Sequence, residues 1–178
     1  MLPQMKNDQP VLMESSKATY SACISDFLPY ATATDIVTLI GATGKQITLT
    51  QIRFSGTATA ATTYGVYLFK RSALDTAGTS TLTSITTHDS NDPAPSAVVK
   101  QYSAIPTGLG AGTMIRSDHL SLPATAGAAY NQVVWNFGEG VGKCPKLLSS
   151  LENYAINCNG VAVPAGSNIH ITIQWTEE

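Results

Sequence analysis

The densest polar stretch of the chain is His88-Asp89-Ser90-Asn91-Asp92-Pro93, which brings an imidazole, two carboxylates, a carboxamide and a hydroxyl together. Such a run has the groups for acid–base chemistry or for a hard cation. An EF-hand loop, however, needs oxygen ligands at alternate positions, Gly at the sixth and a bidentate Glu at the twelfth. Counting from Asp89, the twelfth position is Lys100, so that match fails. The simpler reading is a tight turn in which Asp89, Asn91 and Asp92 bond their own backbone N–H groups ahead of Pro93. A weaker cation site built from the same three side chains and backbone carbonyls stays open as the alternative.

Other chemistries find less support. No GxSxG nucleophile elbow is present. The runs Gly108-Leu-Gly110-Ala-Gly112 and Gly138-Glu-Gly140-Val-Gly142 have part of a dinucleotide fingerprint, but neither opens a helix after a parallel strand, so both read as loops. Cys23, Cys144 and Cys158 are odd in number and include no CxxC pair, and His88, His119 and His170 lie far apart. Reduced thiols in packing roles are expected, without a metal. The Asp and Glu residues fall mostly in presumed loops or near the termini, and no pair suited to glycoside hydrolysis stands out. The chain is therefore expected to be no enzyme, with no catalytic, cofactor-binding or metal-binding residues.

Composition points the same way. Lys and Arg number 10 against 12 Asp and Glu, for a net charge of -2, and charged residues make up only 12%. That is about half the usual share. Without a basic cluster, nucleic acid and anionic membrane are not expected partners. The 178 residues suffice for one domain with its own core. The first twenty residues lack the apolar stretch of a secretory signal, and no apolar run approaches a transmembrane helix. The expectation is a chain made and kept soluble in a cytoplasm.

The elements that must position these residues read as follows. Pro3, Pro10 and Pro29 interrupt residues 1–30, which show no helical apolar period. This segment is expected to be an extended arm that orders on a partner, with Leu2, Val11, Leu12, Met13, Tyr20, Phe27, Leu28 and Tyr30 as apolar anchors; its removal should leave a folded body. Residues 31–178 carry short Val-, Ile-, Thr- and Tyr-rich runs between Gly, Asn, Asp and Pro clusters, the texture of an all-β antiparallel sandwich. Asp35–Ile40 and the strand after Gly41-Ala-Thr-Gly44 read as a hairpin. In that second strand the inward parity switches from Ile47 and Leu49 to Ile52 and Phe54, which predicts a β-bulge at Thr50 or Gln51. Tyr64–Ser72, apolar on both faces, reads as a deeply buried central strand.

Further strands are expected at Ser80–Thr86, Ala97–Ala104, Gly112–Ser117, His119–Leu122, Gln132–Phe137, Lys146–Leu148 and Tyr154–Cys158. The closing strand Asn168–Trp175 alternates cleanly, with Ile169, Ile171, Ile173 and Trp175 inward. Trp135 is likewise placed inward. Short helices are expected only at Ala126–Tyr130 and Leu147–Glu152.

Four stretches, TDIVTLIGATGKQITLTQIRFSGTATAATTYGVYLFKRS (34–72), THDSNDPAPSAVVKQYSA (87–104), VVWNFGEG (133–140) and YAINCNGVAVPAGSNIHITIQWTEE (154–178), carry a likeness in their order and combination. The body resembles tailed-bacteriophage virion proteins in which a jelly-roll-like β-domain serves as a capsid decoration (cement) or head-fibre subunit. The resemblance implies a jelly-roll-like sandwich with an N-terminal arm. It also implies a non-enzymatic homotrimer, made in the host bacterial cytoplasm, that binds and stabilises the major capsid protein shell on the virion surface. It supplies no catalytic residue. The competing expectation is a tail-fibre or head-fibre receptor-binding domain gripping a host cell-surface glycan, which calls for a concave site of aromatic and carboxamide side chains.

Overall fold

In the computed structural model the described residues are 17–28, 30, 32–124, 132–138, 142–158 and 167–178. Among them there is no helix. The strands are β1 (Ala18–Phe27), β2 (Thr34–Ile40), β3 (Ile47–Thr57), β4 (Thr62–Arg71), β5 (Ser80–Leu82), β6 (Ile85–Thr87), β7 (Val98–Tyr102), β8 (Gly112–Leu122), β9 (Val133–Asn136), β10 (Lys146–Leu147), β11 (Asn153–Cys158) and β12 (Asn168–Glu177). One sheet runs β6-β1-β12-β3, with β9 and β10 both paired to β3, and the other runs β5-β7-β2-β11-β4-β8. All pairs are antiparallel.

Setting aside β10 and the β5–β7 insertion, eight strands remain. They pair first with last: β1 with β12, β2 with β11, β3 with β9, β4 with β8. Successive strands of this set alternate between the sheets except at the β4–β8 pair, so the body is one long hairpin rolled on itself, a jelly roll. The expected all-β antiparallel sandwich is therefore the observed fold.

Period-two patterning explains the core. Ile169, Ile171, Ile173 and Trp175 of β12 are buried, as are Tyr20, Ala22 and Ile24 of β1 and Ile52 and Phe54 of β3. Trp175 stacks on Tyr20 with ring centroids 6.0 Å apart, and Phe54 meets Trp135 edge-on at 4.9 Å. The parity switch in β3 is a bulge: Gln51 pairs with Gln174 and Leu49 with Trp175, leaving Thr50 as the extra residue. That keeps Leu49 and Ile52 on the same side. β4 is an interior strand whose Tyr64, Val66 and Leu68 are buried, while Tyr67 and Phe69 are half-buried.

Several expectations are corrected. β2 and β3 form no hairpin, because they lie in opposite sheets. Their connection turns a corner, where the Gly41 N–H donates to the Glu152 carbonyl at 3.0 Å and an added Cβ at Gly41 would strike the Ser149 carbonyl. Ser80–Thr86 is split, β5 joining one sheet and β6 the other, whereas Gly112–Leu122 is one strand. Leu147–Glu152 is no helix: the Glu152 carboxylate accepts the Leu148 N–H at 2.7 Å and the Ser149 hydroxyl accepts the Leu151 N–H at 3.1 Å, closing a turn. The other expected helix, Ala126–Tyr130, lies outside the described residues.

The boundary of the arm at residue 30 also moves. β1 sits between β12 and β6 in the middle of a sheet, with Tyr20 0% and Phe27 6% exposed, so both belong to the core. The alternation of Tyr20, Ala22 and Ile24 against Ser21, Cys23 and Ser25 is a half-buried strand signal that outweighs the prolines on either side. Leu28 is 50% exposed, and Tyr30 is half-buried against the core. Leu2, Val11, Leu12 and Met13 lie outside the described residues.

Candidate functional site

The His88–Pro93 segment is a structural clasp. Asp89 Oδ1 accepts from the Asn91 N–H at 2.9 Å and from Asn91 Nδ2 at 3.0 Å, an Asx turn. The His88 N–H donates to the Thr19 carbonyl at 2.9 Å, and Asp92 Oδ2 accepts the Thr19 N–H at 3.2 Å. The Tyr20 hydroxyl donates to the Pro93 carbonyl at 2.9 Å. These groups fasten β1 to the segment that follows β6. Among the described residues no three His, Cys, Asp or Glu side chains gather as a cation site would require.

A second polar centre was not signalled by sequence. On the outer face of the β5–β8 sheet, Arg71 Nε and Nη2 donate to the two oxygens of Asp35 at 2.6 and 2.8 Å. Asn157 Nδ2 donates to Asp35 Oδ1 at 3.1 Å, and Arg71 Nη1 to the Gly110 carbonyl at 2.7 Å. The pair is bidentate and buried beneath two loops that bond each other: Ser72 N–H to the Ala111 carbonyl, Thr76 to Thr107, Ser103 to Thr79. Asn153 Nδ2 ties the cover down through the Ala73 carbonyl at 2.9 Å. Under the same cover neither Asp75 oxygen has a well-formed hydrogen bond. Burial pushes this carboxyl above the usual range, opposed by the Tyr102 hydroxyl and by Arg71 and Lys100 and reinforced by Asp35. The centre holds the loops in place. Its carboxylate oxygens are covered by these loops.

The end of the sandwich where the chain enters has another character. Lys17 pairs with Glu178, and Glu178 exchanges backbone hydrogen bonds with Gln46 at 3.0 and 3.1 Å. The Thr43 hydroxyl donates to the Ser150 hydroxyl at 3.1 Å, joining the 41–46 and 148–152 turns. On this rim Leu148 and Leu151 stand 63% and 61% exposed.

Along one side of the sandwich, between β8 and the segment after β9, lies a cleft of about 540 Å³ lined by Ile115, Arg116, Asn136, Phe137, Lys143 and Pro145. The Arg116 guanidinium sits 5.5 Å from the centre of the Phe137 ring. Neither Arg116 nor Lys143 pairs with a carboxylate among the described residues. Among the described residues the cleft combines an apolar floor with two cations that have no carboxylate partner, and its lining holds no nucleophile–base pair.

The expected anchors are thus distributed. Tyr20 stacks on Trp175, Phe27 meets Tyr30 edge-on at 6.2 Å, and the Tyr30 hydroxyl donates to the Tyr102 carbonyl at 3.0 Å, so these three pack inward. Leu28 is exposed, at the opposite end of β1 from Lys17. Compared with models of protein families and with curated protein sequences, the chain matches none.

Proposed function

We propose that the chain is a non-enzymatic structural subunit of a tailed-bacteriophage virion, a capsid decoration or cement protein. In this reading it is made in the host bacterial cytoplasm and binds the major capsid protein shell as a homotrimer. The resemblance of the body to such subunits supplies the class. The observation that carries the reading is the rim at which Lys17 enters the body: Leu148 and Leu151 stand exposed at the same end of the sandwich, where Lys17 pairs with Glu178 and the 41–46 and 148–152 turns meet. In this reading Leu2, Val11, Leu12 and Met13 serve with the rim leucines as anchors for the same partner. A subunit repeated on a lattice gains by avidity, so modest contacts suffice, and a surface low in charge has few ions to desolvate.

The glycan-binding alternative asks for aromatic side chains on show. Every aromatic residue among those described is buried or half-buried, which favours shell docking. The test is co-sedimentation of the purified chain with undecorated shells. The full chain is expected to pellet with them, and a chain lacking residues 1–16 and carrying Leu148→Asp and Leu151→Asp to stay in solution with unchanged circular dichroism. Pelleting of both to the same extent, or of neither, contradicts the proposal.

A further inference from the structure

β8 is the last strand of its sheet, and among the described residues it pairs with β4 alone, from Gly112 to Leu122. A long edge of this kind presents unpaired N–H and C=O groups that proteins usually blunt. Here the blunting is partial. Ile115 is the extra residue of a bulge between the Leu68–Arg116 and Phe69–Met114 pairs, and the Asp118 carboxylate takes the His119 N–H at 2.8 Å. From Gly112 to His119 every residue but Ile115 is exposed, Met114 to 50%.

The edge borders the cleft described above. Ile115 and Arg116 form one wall, and Asn136, Phe137, Lys143 and Pro145 form the other. A chain hydrogen-bonded to β8 would lie about 4.8 Å from it and so fill this space. Alternate side chains would meet the Phe137 ring and the two cations. In a molecule of net charge -2, Arg116 and Lys143 are two cations with no carboxylate partner among the described residues, and complementarity selects negative charge. Pairing of β8 with a second copy would set Arg116 against Asp118 across a two-fold axis. It would leave Lys143 unmatched.

We propose that β8 is the docking edge for an extended acidic segment of a partner protein, which adds to the sheet as a seventh strand and sets its carboxylates against Arg116 and Lys143. Main-chain bonds supply the affinity and the cations the selectivity. The site holds whichever assembly the partner belongs to, and it is separate from the leucine rim.

The test uses the peptides (Thr-Glu)5 and (Thr-Lys)5 and free glutamate, with binding read by titration and by amide hydrogen exchange. (Thr-Glu)5 is expected to bind, to protect amides within 112–119, and to weaken as salt rises. Charge reversal by Arg116→Glu with Lys143→Glu, both at the cleft surface, should weaken it by about tenfold or more. Because the His119 N–H points away from β4, that of Ser117 does too, and Ser117→Pro should abolish protection while thermal unfolding stays cooperative. The proposal is overturned if (Thr-Lys)5 binds as well as (Thr-Glu)5, if free glutamate displaces the peptide completely, or if no peptide binds. Protection of 112–119 without peptide, in a chain that sediments as a dimer, assigns the edge to a second copy and overturns it equally.

Discussion

Asp35 and Arg71 decide more about this molecule than any residue of the polar 88–93 run. Both are buried, 0% and 7% exposed, and each satisfies the other. Removing one partner leaves an uncompensated charge, so Arg71→Met should cost about 3–5 kcal/mol in urea unfolding, whereas Asp35→Leu with Arg71→Met should cost less than either single change. A double variant as damaging as the sum of the singles would contradict the pairing. Asp75 behaves in the opposite sense. A carboxyl whose pKa is raised by folding holds its proton more tightly folded than unfolded. Its contribution is full below the ordinary aspartate range and is lost as pH rises through that range toward the raised value. Asp75→Asn should therefore raise the melting temperature at pH 7, with the gap to the parent closing below about pH 4; an unchanged gap across that range would contradict it. None of this centre was legible in sequence. Asp35 and Arg71 stand 36 positions apart and meet only because β11 lies between their strands. Trp135 and Trp175 were legible, because alternation alone assigns their faces.

At the scale of elements, the sequence carried those features that depend on period two and missed those that depend on which sheet a strand joins. The bulge at Thr50 follows from a parity switch within one strand. The corner at Gly41 does not, since Gly41-Ala-Thr-Gly44 suits a hairpin and a sheet-to-sheet crossing alike. β1 shows the cost of reading prolines ahead of alternation. Its ladder to β12 extends from Ala18–Glu177 to Phe27–Ile169, and β12 is itself held by β3. Deleting residues 1–16 should leave the melting temperature nearly unchanged. Deleting 1–30, contrary to the sequence reading, should abolish cooperative unfolding, because it removes an interior strand and exposes Trp175. Circular dichroism melts of the two truncations check this directly, and a cooperative melt for the longer deletion would contradict the placement of β1.

The described residues form a rolled hairpin packed with aromatic and aliphatic side chains, with Leu148 and Leu151 exposed on one rim and Arg116 and Lys143 beside the β8 edge. That arrangement underlies the proposal of a shell-docking subunit and separates two surfaces, the leucine rim for the shell and β8 for an acidic strand. The fold class was legible from strand spacing and turn composition. The surfaces were not, because exposure of Leu148, Leu151 and Arg116 depends on how the strands are ordered in the sheets. The most direct test of the docking account is electron cryomicroscopy of a particle containing this chain. The account predicts density for the jelly roll on the outer capsid surface, in threes, with the Leu148 and Leu151 rim turned toward the shell. Density confined to the tail, or a subunit on the capsid with that rim facing solvent, would contradict it.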